Sequence, residues 1–406
     1  MTWFIKLGGV LVITAVAGIF IFILFQIIPL FRGAKVSEMN AVQSEAKTYQ
    51  LLGADEWSEL PVLVEPNGTL TFIDTTGARA PQVVTPDFGE VRQVTAVAYR
   101  QQGQKVIVGT ADGRFGVVNL NYTMAYEAGR QRVVQDAKAD KFYPLAPENA
   151  RVVQIAYGDS GDAKLVAAVC EVSGKTELHA ATLTEKRSLF GKSGIEVGDA
   201  FNLTAELRGA PAHILVNGNA DGVLVATDAG EVDYFFRSGD QMILRQKFEP
   251  FADCADRRIA GINYMLGDVS VVVTGYTGEN RVFSLFVPKA GGDRVWGKTK
   301  EFPKLPGAPN FFASSLRNKA FLIGSGSLAS LRYSTTESVR WEKELPFQIS
   351  HAVIAGKNDR LVFLDTAGKL HLYSLDDPHP EASFKALFGK VWYEGASEPK
   401  YEWQST

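Results

Sequence analysis

The chain of 406 residues is poor in cysteine, in histidine and in excess charge, and each shortage excludes a class of function. Its two cysteines, Cys170 and Cys254, lie far apart and have neither metal-finger nor redox spacing. Cys170 ends the apolar run Leu165–Val169 and reads as a buried, inert thiol. Cys254 sits in a polar loop, and a disulfide between the two is the lesser alternative. The five histidines, His179, His213, His351, His371 and His379, are scattered singly, so no pair has the spacing of a metal site. A net charge of −3 argues against a nucleic-acid partner, which calls for a basic face. Helical periodicity is missing after residue 50.

What the chain does have is one long uncharged run. The twenty-five residues from Leu7 to Phe31 carry no charge, and only Thr14, Gln26 and Pro29 break the apolar and small residues. As a helix this run would extend ~37 Å at 1.5 Å per residue. That is enough to cross a hydrocarbon core of about 30 Å. Leu7, Phe20, Phe25 and Phe31 are the expected lipid-facing markers of this anchor. A cleaved signal peptide would end its apolar core at a small-residue site, and Ala15–Ala17 imitates one. The run continues apolar well past it, which favours a retained span. Lys6 on one side and Arg32 and Lys35 on the other leave orientation undecided by charge. A short N-terminus with a translocated body is the simplest topology.

The body repeats. Strand, glycine-containing turn and alternating strand recur around Gly68, Gly113, Gly174, Gly230, Gly278, Gly326 and Gly368, at spacings of 45, 61, 56, 48, 48 and 42 residues. Further apolar segments such as Val94–Tyr99, Ile262–Met265 and Ile349–Ile354 precede most copies, giving at least three strands per unit. A period of about 40–50 residues with four strands is that of a propeller blade. The expected fold is therefore all-β: a β-propeller of about seven blades with WD40-like hairpins, after one N-terminal transmembrane helix. Two stacked sandwiches would match the strand density but not the period. Ring closure is expected from either Ala382–Leu387 or the segment before Glu59.

Candidate chemistry is sparse. Gly292–Thr299 matches the phosphate-loop pattern, but Pro303 and Pro306 follow where a helix is required. This segment reads as an outer strand, so no nucleotide is expected. Asp112, Asp228 and Asp365 recur beside turns, where such a side chain usually bonds its own backbone. Asn67, Asn121 and Asn202 begin glycosylation-type triplets that arise often by chance. Nothing in the pattern makes a case for an enzyme or a cofactor.

Two end segments carry a resemblance. Ile28–Val36 and the tail Leu387–Gly395 with Tyr401–Thr406 resemble the N-terminal extension of phosphate-specific ABC transporter permeases. In that family a first transmembrane helix leads to a large extracytoplasmic insert, and the chain returns through such a tail to the helical permease core. The resemblance implies an anchor (1–35), an extracytoplasmic propeller (36–386) and a tail (387–406) returning to the membrane. It implies a bacterial inner-membrane location with the propeller on the periplasmic side. The implied partners are a helical permease subunit encoded elsewhere and the phosphate-binding protein, with Trp392, Tyr393, Tyr401 and Trp403 as contact candidates. The alternative is an independent membrane-anchored scaffold or assembly adaptor of the cell envelope.

Overall fold

A computed structural model of the chain describes residues 2–28, 32–45, 48–127, 129–187, 193–289 and 291–377. One α-helix, Thr2–Ile27, precedes the body. It stops two residues before Pro29, because a proline disfavours helical backbone in the residue it follows. Leu7, Phe20 and Phe25 lie in it and are exposed, and none of the stretch Leu7–Phe25 is buried against protein. Phe31 lies outside the described residues, as does the whole tail with Trp392, Tyr393, Tyr401 and Trp403.

From Lys35 onward the described residues form seven antiparallel sheets, each built around four strands. Their first strands, including Leu51–Gly53, Val94–Arg100, Ala150–Asp159 and Ile349–Ile354, line a central channel. Second strands such as Gly222–Thr227 and Ser270–Gly275 are buried along their whole length. Each is sandwiched between neighbouring blades, so both of its faces must be apolar and the sequence reads as a continuous run rather than an alternation. The outermost strand Gln241–Phe248 shows strict alternation, one side packed and one wet.

All seven repeat glycines sit in the turn between second and third strands, with φ between 65° and 87°. A Cβ disfavours that conformation, which is why glycine marks the period. These turns share one face of the disc, here the glycine face. The two long spacings also have a cause. The third and fourth strands of blade 2, Arg114–Glu127 and Arg130–Ala139, and of blade 3, Lys175–Arg187 and Ser193–Asn202, form hairpins longer than those of the other blades.

Closure comes from the N-terminal side. Lys35–Gln43 pairs antiparallel with Lys369–Asp376 and becomes the outermost strand of blade 7, so of the two expected sources it is the segment before Glu59 that completes the ring. Val36 and Val42 from this strand pack into the clusters flanking that blade. The last blade is thereby made of both ends of the propeller, and the pairing satisfies the backbone of Lys369–Asp376 while tying the two ends together.

Candidate functional site

The channel along the propeller axis holds about 750 Å³ and is lined by all seven first strands. Five of those strands carry a bulge at the same place, beside Thr95, Val153, Ala212, Ala260 and Ser350. Side chains at or near the start of the first strands reach the next blade's backbone. Thr95 donates to the Val152 carbonyl at 2.6 Å, and Gln154 to the Ala212 carbonyl at 2.6 Å. His213 bonds the backbone of Ile259, Asn310 donates to the Ile349 carbonyl, and His351 Nε2 lies 2.9 Å from the Gln50 carbonyl. Burial holds both histidines below their ordinary range, so they serve as neutral hydrogen-bonding rings. These polar side chains lock blade to blade.

The opposite mouth is likewise laced. Arg100 donates to the carbonyls of Tyr157 and Asp159 at 3.2 and 3.3 Å, and Gln101 reaches the Ile354 carbonyl at 2.6 Å. Asp268 accepts from the Gly218 amide at 2.5 Å, and its carboxyl is raised by burial. Between the mouths, Ala156, Leu215, Phe312 and Val353 line the channel beside Asn263 and Ser314. The polar groups named at both mouths are spent on protein bonds.

A second cluster carries perturbed groups. Burial pushes Asp233 above the ordinary carboxylate range, while Lys247 lies 3.3 Å from it and 3.1 Å from Glu231. Burial lowers Lys247, but its bonds to the two acids leave it above its usual value. This triad bridges the outer strands of blade 4 and does not line the channel. Among the described residues, no three His, Cys, Asp or Glu side chains group as metal ligands.

Of the three turn aspartates, Asp365 bonds its own turn backbone as expected, while Asp112 and Asp228 take other partners. Asp365 accepts from the Ala367 and Lys369 amides and lies 3.0 Å from His371. Asp112 accepts from Thr110 and pairs with Arg92, and Asp228 accepts from the Ala210 amide. Both cysteines are free, and burial pushes the Cys170 thiol up to about 12. The phosphate-loop look-alike is the strand Val295–Phe302, outermost in blade 5, with Lys298 paired to Glu301 at 2.9 Å. A helix N-terminus, the feature that would hold phosphates there, does not form.

The disc face opposite the glycine turns is where the chain comes in and leaves. Lys35 pairs with Asp376 at that edge, and Arg340 of blade 6 fixes both strands. Its carbonyl accepts from the Ala34 amide at 2.8 Å, and its guanidinium donates to the Arg32 carbonyl at 2.9 Å. The same guanidinium holds Asp377 at 2.7 Å, with that carboxylate nearly buried. Sequence reasoning missed Arg340, because a single arginine in the polar strand Ser338–Glu344 carries no pattern. We call this side the tether face.

With this geometry established, comparison with solved structures is informative about architecture. The chain is similar to the β-propeller domain of Cps50 (Swd1) from Myceliophteria thermophila, at 12% identity and a TM-score of 0.53. The match covers 84% of this chain and 100% of that one. The body is a seven-blade β-propeller. As 1258 solved chains match, the likeness fixes the fold and leaves the activity open. No protein-family profile and no curated protein matches the chain.

Proposed function

We propose that this chain is the membrane-tethered propeller part of a phosphate-specific importer permease, a non-catalytic platform that docks a helical permease subunit and the phosphate-binding protein. The reading places the helix Thr2–Ile27 in a bacterial inner membrane and the propeller on the periplasmic side. One observation carries it: the polypeptide joins and leaves the propeller at the same edge, with Arg340 binding Arg32 and Asp377 together. A domain inserted between membrane-crossing segments needs both connections on its membrane side. A lone helix cannot line a solute path, since a path requires several helices around a cavity. The reading assigns transport to that helical permease.

The second reading, an independent envelope scaffold, is favoured by the channel, whose polar groups at the mouths are consumed by blade-to-blade bonds. Detergent-solubilised protein used as bait, with and without residues 387–406, separates the two. Co-purification of a multi-helix permease, lost when the tail is removed, is the expected result. Recovery of cell-wall or outer-membrane assembly factors with no permease would favour the scaffold and end the importer reading.

A further inference from the structure

The exposed apolar side chains of the propeller are unevenly placed. In an antiparallel blade, the turns joining first to second and third to fourth strands share one face, here the tether face. Met124 and Tyr126 are exposed near the tip of the blade 2 hairpin, Tyr126 at 76%. Ile243 follows the corresponding turn of blade 4, Phe286 and Val287 open the loop of blade 5, and Val339 follows the turn of blade 6. The glycine face carries only Val91 and Tyr276 of this class among the described residues. The tips bear exposed charges of both signs, Arg130, Lys289 and Arg294 with Asp240, Asp293 and Glu337, and the long basic stems can lie along apolar surface while the charge stays wet.

The blade 2 hairpin is built to hold its tip out. Its third strand continues seven residues past Leu120 to Glu127, a run of up to about 23 Å. The hairpin is braced on blade 1 close to its tip: Arg132, opposite Ala125, donates to Thr76, and Arg79 donates to the carbonyl of Val133, opposite Met124, at 2.8 Å. Val133 is fully buried in the apolar cluster between blades 1 and 2, so the hairpin lies on blade 1 up to this pair, and Tyr126 is past it.

We infer that the tether face lies on a lipid bilayer, with the Tyr126 hairpin tip and the Val287 loop seated at the membrane interface. This rests on the reading of Thr2–Ile27 as a retained anchor. Ile27 and Lys35 are eight residues apart, a link that spans at most about 29 Å, so the tether edge cannot stand far from the membrane. The apolar tips are separated around blades 2, 4, 5 and 6, as a plane would meet them. A protein partner of ordinary affinity needs about 800 Å² of contiguous surface on each side. Exposed aromatic and aliphatic tips are a usual feature of an interfacial contact.

The test uses the full chain reconstituted in vesicles, in a Cys254→Ser background, with Cys170 left in place because it is buried. Nitroxide labels are placed at Tyr126→Cys and Val287→Cys, and for the opposite face at Val91→Cys and Tyr276→Cys. Labels at 126 and 287 are expected to be relaxed more by oxygen than by a water-soluble nickel chelate, and labels at 91 and 276 the reverse. If the chain stays with the vesicles after an alkaline wash while 126 and 287 match 276, the anchor survives and this inference falls. If the chain leaves the vesicles, the anchor reading fails and takes this one with it. Protection at 126 and 287 only after adding a co-purified multi-helix protein would make the occupant a protein and overturn the lipid assignment.

Discussion

A chain starting at residue 45 should aggregate and melt at a lower temperature than a chain starting at residue 32, which should stay monomeric. Both lack the apolar helix and differ in residues 32–44, which hold the closing strand Lys35–Gln43 and the flanking Arg32, Ala34 and Ser44. Without it, Lys369–Asp376 presents an open row of backbone donors and acceptors, the kind of edge that recruits other chains. Val36 and Val42 also leave their clusters, at a cost of about 1–2 kcal/mol each. The Arg340 guanidinium loses the Arg32 carbonyl but keeps Asp377. We expect soluble aggregates and a melting midpoint lower by about 6 °C or more. A synthetic peptide of residues 33–45 should restore the monomer, because it resupplies the missing strand. Equal melting curves for the two chains would show that blade 7 is not closed in this way.

The second large effect concerns one glycine. Gly278→Ala should destabilise the propeller by about 3 kcal/mol or more, whereas Gly174→Ala should cost about 1 kcal/mol. Both glycines sit in equivalent turns, at φ 87° and 77°. They differ in what a new Cβ would meet. At Gly278 it would lie 2.1 Å from the backbone oxygen of Leu305, which itself is held by the Gly278 carbonyl through its amide at 2.9 Å. At Gly174 nothing lies within 4 Å. The comparison separates backbone strain from steric conflict with the next blade connection. Chemical denaturation of the two variants reads it directly, and equal losses at both sites would remove the steric part of the account.

How much of this architecture was legible in the sequence depends on where each residue's signal comes from. The second strands announced themselves because burial on both faces forces unbroken runs such as Val271–Val273. The turn glycines did so because positive φ excludes most side chains. The closing strand did not, since Lys35–Gln43 is the outer strand of its blade and buries little besides Val36, Ala41 and Val42. Its partner lies more than 300 residues away in the chain, a pairing that local pattern cannot report. The apolar run was read to Phe31, yet the helix ends at Ile27 because hydrophobicity is blind to the backbone restriction before Pro29. The histidines are scattered singly in the sequence, yet two of them bond the neighbouring blade at the channel rim, a role set by the bulges and readable only in three dimensions.

The proposed role depends on Thr2–Ile27 being retained in a membrane. Mass spectrometry of the protein extracted from washed membranes tests this most directly. The expected result is a chain that still contains residues 1–31 and remains in the membrane fraction through an alkaline wash. A soluble mature form beginning near Gly18 would contradict it.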